Sequence, residues 1–222
     1  MKNNNKIFLG EFIASCFLVM VIVGSGIMAE NLTNDNAVRL LANTIATGAG
    51  LFVLITAFAN ISGAHLNPFV SLSMYLTKRI KGKELLTFIP AQILGCLLGV
   101  MLANVFFEHS IIELSTKNRD GFHIFLSEIV ATLGLIFIIF ATLKDGKTTV
   151  AACVATYISA GYWFTSSTSF ANPAVAIART FTDSFTGINY LNTPTYIFAE
   201  LLGAIAVSYT HLTLPTIGGV VV

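Results

Sequence analysis

The chain has 222 residues, of which 55% are hydrophobic and only 10% are charged, and its formal net charge is +1. Soluble domains typically carry about 25% charged residues, so this composition predicts a membrane protein. A net charge this close to zero argues against a nucleic acid or an acidic macromolecule as a partner.

Six apolar runs follow one another along the chain and predict an all-α fold with six transmembrane helices of about 20 residues each. The first run carries Glu11 and is longer than the apolar core of a typical signal peptide, so we interpret it as a span. The runs are Ile7–Ala29, Leu40–Asn60, Leu85–Phe107, Phe122–Leu143, Val150–Thr165 and a last one that begins at Tyr196.

Two shorter segments, 67–77 and 172–181, each begin with an Asn-Pro pair. An Asn side chain can accept a bond from an early backbone N–H of a helix, and Pro suits the first helical position because no N–H is needed there. Both segments are too short to cross a bilayer. They therefore predict two re-entrant half-helices.

The two halves of the chain resemble each other in order, with repeat 1 at about 6–107 and repeat 2 at about 122–207. Glu11 opens the first span and Glu128 the fourth, and an Ala follows each three residues later. Each repeat holds three spans and one half-helix. A repeat with an odd number of spans must be inverted in the membrane, which predicts a single pore-forming domain over residues 1–222.

The distribution of basic residues predicts the orientation. With a cytoplasmic N-terminus, eight of the twelve Lys and Arg residues lie inside and four lie outside. Because cytoplasmic loops carry an excess of Lys and Arg, we predict a multi-pass protein of the cell membrane with both termini inside.

The last residues, 208–222, do not continue the apolar pattern. Ser208 begins a polar stretch that contains Pro215, and Tyr196–Val207 alone is too short to span. The stretch resembles a translated sequencing adapter, so we interpret it as a non-native tail; the alternative is a genuine, distorted final helix. We assign no function to His211 within it.

Three motifs together resemble the aquaporin, or major intrinsic protein, family, and the resemblance covers about residues 6–206. It implies a homotetramer of passive channels, one pore per subunit, for water or small neutral solutes. A bacterial inner membrane is the implied location. The motifs are Ser62-Gly63-Ala64-His65-Leu66-Asn67-Pro68, Gln92-x-x-Gly95-x-x-x-Gly99 and Ala171-Asn172-Pro173-Ala174.

The chain departs from the family pattern at three positions. Phe69 replaces the Ala of the first Asn-Pro-Ala motif, and Ala176 stands where glycerol channels tend to carry an acid. Val175 occupies the position of the usual filter Arg, as in a bacterial subgroup with some association with metalloid handling. By the family's spacing, the filter is a wide, weakly polar one formed by Ala49, Ala160 (or its neighbour Gly161), Ser169 and Val175.

The resemblance also implies roles for individual side chains. Asn67 and Asn172 line the pore centre as helix caps, each within its Asn-Pro motif. Glu11 and Glu128 brace the re-entrant loops, and His65 either supports the first loop or lines the pore. The positions of two further charges predict structural roles: Glu200 is a surface or interface acid, and Arg179 lies either in the outer vestibule or on a solvated rim.

These features favour a passive channel for water, glycerol, urea or neutral arsenite. The alternative is a proton-coupled secondary transporter of a small solute, for which Glu11 and Glu128 are the candidate proton carriers. The histidines, cysteines and acids show no ligand or triad spacing, so we expect no enzymatic activity, no cofactor and no bound metal.

Overall fold

The structure is a computed structural model that describes residues 3–213, with side chains placed for residues 4–211. Within this range the chain forms eight α-helices and two short 3-10 turns, at 143–145 and 179–181, and no strand. The helices are α1 (Asn3–Leu32), α2 (Asn36–Phe58), α3 (Pro68–Leu76), α4 (Gly82–Phe106), α5 (Phe122–Thr142), α6 (Lys147–Phe164), α7 (Pro173–Ala178) and α8 (Thr193–Thr213).

Four of these helices are long and apolar enough to cross a membrane: α1, α2, α4 and α5, the last counted with the 3-10 turn that follows it. The helices α6 and α8 have 18 and 21 residues. Large apolar side chains such as Phe17, Ile45 and Phe137 are exposed on the outer faces of the bundle. In a bilayer these faces would contact lipid, which is as apolar as the side chains themselves.

The final helix differs from the expectation for the tail. The polar stretch was predicted to break the last span at Ser208, but α8 continues through Ser208 to Thr213. The hydroxyl of Ser208 donates to the carbonyl of Ala204, one turn earlier, and so is satisfied inside the helix. Residues 214–222, on which the rest of the non-native tail prediction falls, lie outside the described residues.

Glycines allow the long helices to approach closely at corresponding places in the two halves. A Cβ atom added to Gly95 of α4 would lie 2.3 Å from the carbonyl oxygen of Phe12 in α1. A Cβ atom added to Gly203 of α8 would lie 2.5 Å from the carbonyl oxygen of Ile129 in α5. Small residues at such crossings let backbones pack together in lipid. Phe12 follows Glu11 and Ile129 follows Glu128, so these crossings hold each acid beside its loop.

Candidate pore

A cavity of about 380 Å³ runs between the helices. Its wall on α6 consists of one helical face, because the lining residues recur every three or four positions: Lys147, Val150, Val154, Ile158 and Tyr162. At ~1.5 Å per residue this face is about 22 Å long. The cavity therefore extends through most of the thickness of a bilayer core. We call its two mouths the Lys147 end and the Arg179 end, after the basic residues that line them.

The two Asn-Pro pairs meet midway along this cavity. The Asn67 side-chain amide donates to the carbonyl of Ala171 at 2.6 Å, and the Asn172 amide donates to the carbonyl of Leu66 at 2.7 Å. The oxygen of each Asn caps its own half-helix, accepting from Phe69 N at 2.9 Å in one case and from Ala174 N at 3.1 Å in the other. Both asparagines line the cavity. The positive ends of the helices α3 and α7 thus point at the pore centre.

The two loops that precede the half-helices share an unusual backbone. Ala64 and Leu66 in the first loop, and Ser169 and Ala171 in the second, have φ between 48° and 52°. Non-glycine residues in this left-handed region carry a conformational cost of about 1–3 kcal/mol each, which surrounding contacts must offset. The buried acids provide those contacts.

Glu11 holds the first loop through four hydrogen bonds. Its Oε1 accepts from Ser62 Oγ at 2.6 Å and from His65 N at 3.1 Å. Its Oε2 accepts from Leu66 N at 2.7 Å and from Gln92 Nε2 at 2.8 Å. The carboxyl group is fully buried. Every lone-pair direction available to two carboxylate oxygens is therefore used by the loop and by α4.

Glu128 holds the second loop in the same manner, accepting from Phe170 N at 2.9 Å and from Ala171 N at 2.8 Å. A third acid joins it. Glu200 was predicted to be a surface or interface residue, but it is fully buried and accepts from Asn172 N at 3.0 Å. The prediction was wrong because α8 packs on α5, which turns this acid against Glu128 rather than outward.

Glu200 has a counterpart that the sequence could have revealed. Gln92 lies three residues before Gly95, and Glu200 lies three residues before Gly203. Gln92 donates to the acid of its own half, whereas Glu200 presents a second carboxyl to Glu128. Two ionised carboxylates in contact inside a membrane would repel strongly, so the Glu128–Glu200 pair needs a shared proton. The Oε2 of Glu200, which has no hydrogen-bond partner among the described residues, is the atom available to carry it.

This arrangement predicts that Glu200→Gln is tolerated, because a Gln amide can donate to Glu128 as the proton would. The free energy of unfolding, measured by thermal unfolding in detergent, should change by less than about 1 kcal/mol. Glu200→Leu leaves the Asn172 N–H buried without an acceptor and should cost about 1–3 kcal/mol. Equal destabilisation by the two substitutions would contradict the shared-proton interpretation.

His65 contacts the first loop and also lies on the cavity wall, so its position agrees with both of the roles that the sequence left open. Its Nδ1 lies 2.9 Å from Ser71 Oγ, and its ring stacks on Phe88 with a centroid distance of 4.2 Å. These contacts fix the ring beside the first loop, and the residue also lines the cavity. Phe69, the departure in the first motif, is absent from the cavity wall and packs, half buried, against the core.

The prediction was wrong for two of the four filter residues, which do not lie on the cavity wall. Ala49 and Ala160 are exposed on the outer faces of α2 and α6. Thr47 and Tyr162 occupy the cavity wall instead, and the Tyr162 hydroxyl donates to Thr47 Oγ1 at 3.1 Å. A shift of two residues rotates a helical side chain by about 200°, so a small error in register moves a residue to the opposite face. The cavity face of α2 recurs every four residues and ends at the C-cap of the helix, but the other faces of α2 are apolar as well, so the sequence carries no signal that singles this face out. It comprises Thr47, Leu51, Ile55 and Ala59.

The other two predicted filter residues, Ser169 and Val175, do line the cavity. The side chain of Ser169 packs against Gly161, where an added Cβ would lie 2.6 Å from Ser169 Oγ. The same hydroxyl has no hydrogen-bond partner in the part of the chain that the structure describes. The hydroxyl oxygen is itself buried against Gly161, so Ser169 narrows the wall rather than presenting a polar group to a solute.

Arg179 was predicted to lie in the outer vestibule or on a solvated rim, with its charge partly screened by water, and its burial shows that the predicted solvation was wrong. It is 3% exposed and lines the cavity. Its backbone carbonyl accepts from Ile188 N at 3.2 Å, and its Nε donates to the carbonyl of Thr186. The loop at 182–188 thus folds over the end of α7 and buries a side chain that helical geometry alone would leave at the surface.

Long helices around an axial cavity, with two half-helices meeting at its centre, define a membrane channel. The family model described as Major intrinsic protein matches residues 1–211. The chain belongs to this family, and it is a channel for water and small solutes rather than an enzyme.

Several known proteins are similar to this chain. Aquaglyceroporin AqpS of Rhizobium meliloti (strain 1021) is 46% identical over 197 residues, covering 89% of this chain and 84% of the relative. Aquaporin TIP1-2 of Musa acuminata is 36% identical over 149 residues, covering 64% of this chain and 58% of the relative. The X-ray structure of the aquaglyceroporin from Plasmodium falciparum matches with a TM-score of 0.76 at 20% identity, covering 95% of this chain and 96% of the other. At that identity the structural match supports the fold alone.

Proposed function

We propose that this channel passes small uncharged solutes larger than water, such as glycerol, urea and neutral arsenite, in addition to water. The observation that carries the proposal is Val175, a small apolar side chain on the cavity wall three residues after Asn172, where the family usually has Arg. The 46% identical relative is described as an aquaglyceroporin, which agrees with solutes of this size.

The centre of the cavity suits uncharged solutes. Asn67 and Asn172 each use one amide proton on the opposite loop, so the second proton of each remains for a solute oxygen. The positive ends of α3 and α7 face the same point and disfavour cations and protons, as in aquaporin-type pores. A neutral solute with acceptor oxygens meets no comparable barrier.

The proton-coupled transporter is not favoured. A coupling acid must exchange its proton with the transport path, but both oxygens of Glu11 accept two hydrogen bonds each from the protein. Glu128 is committed to the backbone of the second loop. Both acids therefore serve better as supports than as proton carriers.

The arrangement in the membrane is part of the same proposal. Six spans and two re-entrant half-helices, α3 and α7, form an inverted repeat with an N-terminus in the cytoplasm of a bacterial cell, in its inner membrane. Four copies assemble into a homotetramer, and the exposed apolar faces of the bundle are available for lipid and for neighbouring subunits. Crosslinking in membranes tests the homotetramer. Labelling of single cysteines from each side of the membrane tests the orientation of the spans.

Stopped-flow light scattering on proteoliposomes tests the solute range. Wild-type vesicles should pass glycerol, urea and neutral arsenite, and Val175→Arg should reduce solute flux more than water flux because a long cation replaces a small side chain. Val175→Ala is the matched control, since it leaves the wall small and apolar. Wild-type vesicles that pass water but exclude all three solutes would overturn the proposal.

A further inference from the structure

The Arg179 end of the pore carries a buried guanidinium that the family pattern does not place there. Arg179 lies four residues after Val175, hence on the same helical face and about 6 Å further along the axis. The backbone N–H of Arg179 donates to the carbonyl of Val175, so helical geometry persists up to this residue. Val175 and Arg179 therefore follow one another along the cavity wall.

Two contacts hold the guanidinium in place. Its carbon lies 3.5 Å from the centroid of the Phe170 ring, well within the range of a cation–π interaction. Its Nε donates to the carbonyl of Thr186. The loop that carries Thr186 is itself anchored, because Glu30 of α1 accepts from Phe185 N at 2.8 Å. The side chain is thus fixed from two directions and does not depend on solvent.

The fixed guanidinium still has unused donors. Arginine carries five N–H groups in a planar fork. Only the Nε–H has a hydrogen-bond acceptor within residues 3–213, so the four N–H groups on the two Nη atoms remain. A buried cation with unused donors on a cavity wall is the arrangement that binds an acceptor oxygen of a passing solute.

The charge around this mouth is positive as well. Arg119, in the loop before α5, lies with its guanidinium carbon 5.5 Å from the centroid of the same Phe170 ring. Lys117, in that loop, has its pKa lowered to about 8, first by burial and then by the positive charges of Arg119 and Arg179. The negative charge of Glu30 raises the pKa of Lys117, but this effect is smaller than the lowering by burial and by the two arginines. Neither Lys117 nor Arg119 lines the cavity, so these two charges act on an entering ion only from a distance, whereas Arg179 lies on its path.

We propose that Arg179 is the selectivity-determining cation of this channel, displaced one helical turn from the family position that Val175 occupies. It excludes cations at the mouth and presents its Nη donors to the oxygens of neutral hydroxyl and carbonyl solutes. The wide wall at Val175 then lets solutes larger than water continue past the charge. This inference rests on the proposed solute range, because it explains how a channel without the usual Arg discriminates.

Arg179→Met tests the proposal, because Met retains apolar bulk against Phe170 but removes the charge and the donors. In proteoliposomes with a potassium diffusion potential, sodium and methylammonium entry should rise by about tenfold or more relative to wild type. A single fixed charge within a few ångströms of the ion path changes the energy of an ion by more than RT ln 10 at the dielectric constants of protein interiors. The ratio of glycerol to urea flux should change in the same variant.

Arg119→Met is the matched control, because Arg119 lies near the same ring but does not line the cavity. It should leave cation exclusion within about threefold of wild type, since its guanidinium is bonded to the carbonyls of Gly187 and Phe185 and has no direct access to the path. Equal cation entry in wild type and Arg179→Met, or equal increases in both variants, would overturn the assignment.

Arg179→Lys tests the proposal if Arg179→Met does not fold, because it separates the effect of the charge from that of the Nη donors. A Lys can still donate to the Thr186 carbonyl and keeps the charge, but it lacks the planar fork. It should retain the cation barrier while changing the glycerol-to-urea flux ratio, and an unchanged ratio would overturn the role of the donors. Wild-type vesicles impermeable to both solutes would instead refute the proposed function, so the two failures are distinguishable.

Discussion

Replacing Glu11 by Gln should remove most of the folded channel. The carboxylate accepts four hydrogen bonds, from Ser62, His65, Leu66 and Gln92. An amide has only one acceptor oxygen, so one loop N–H, that of His65 or of Leu66, loses its partner whichever way the side chain turns. Hydrogen bonds to a charged group contribute about 1.5–3 kcal/mol each and neutral ones about 1 kcal/mol, so one lost bond and three weakened ones together cost about 3–6 kcal/mol, which is comparable to the 5–15 kcal/mol that stabilises a typical protein.

The yield of monodisperse protein and its thermal unfolding in detergent measure this effect. Glu30→Gln is the matched control, because it makes the same change of charge on the same helix. Glu30 accepts a single bond, from Phe185 N, which an amide oxygen can still accept. Glu11→Gln protein that is as stable as wild type, but has lost a dependence of flux on the proton gradient, would instead support the transporter alternative.

Gly95→Ala should destabilise the bundle although it adds only one methyl group. The new Cβ would lie 2.3 Å from the backbone carbonyl of Phe12, and a backbone atom cannot turn aside as the end of a side chain can. The helices α1 and α4 must separate, which also moves Gln92 away from Glu11. Overpacking of this kind costs about 1–3 kcal/mol, and a lost bond to Glu11 adds to that cost.

Gly24→Ala provides the comparison further along the same contact, where α1 meets Phe107 at the end of α4. A Cβ there would lie 3.4 Å from the edge of the Phe107 ring, which is an ordinary contact with a side chain. Because Ala favours a helix over Gly by about 1 kcal/mol, this variant should be as stable as wild type or more stable. Similar unfolding temperatures for the two variants would show that the close approach of α1 and α4 is not essential.

Local features of the chain explain how much of the pore was predictable. An Asn followed by Pro starts a helix by its own chemistry, because the cap and the fixed φ of Pro act within three residues. The starts of α3 and α7 could therefore be predicted, and with them the loops that Glu11 and Glu128 support. The alternation of apolar runs with polar segments likewise predicted most bounds of the long helices to within a few residues.

Features that depend on neighbouring segments were not predictable in this way. Whether Ala49 or Thr47 faces the cavity depends on the rotation of α2 against its neighbours, and the apolar α2 sequence leaves that rotation open. The environment of Glu200 depends on α8 packing against α5, and that of Arg179 on a loop that folds back from later in the chain. The stretch that begins at Ser208 continues the helix, and the hydroxyls of Ser208 and Thr210 are satisfied by carbonyls of the preceding turn.

The amino-acid sequence alone was thus sufficient for the membrane class, the order of the helices and the two Asn-Pro centres, since each arises from composition or from capping between adjacent residues. The tertiary structure alone decided which side chains form the wall at Thr47 and Tyr162, and that Glu200 and Arg179 are buried at the second loop. These outcomes depend on contacts between segments distant in sequence, where a rotation of one helix or the closure of one loop exchanges an exposed charge for a buried one.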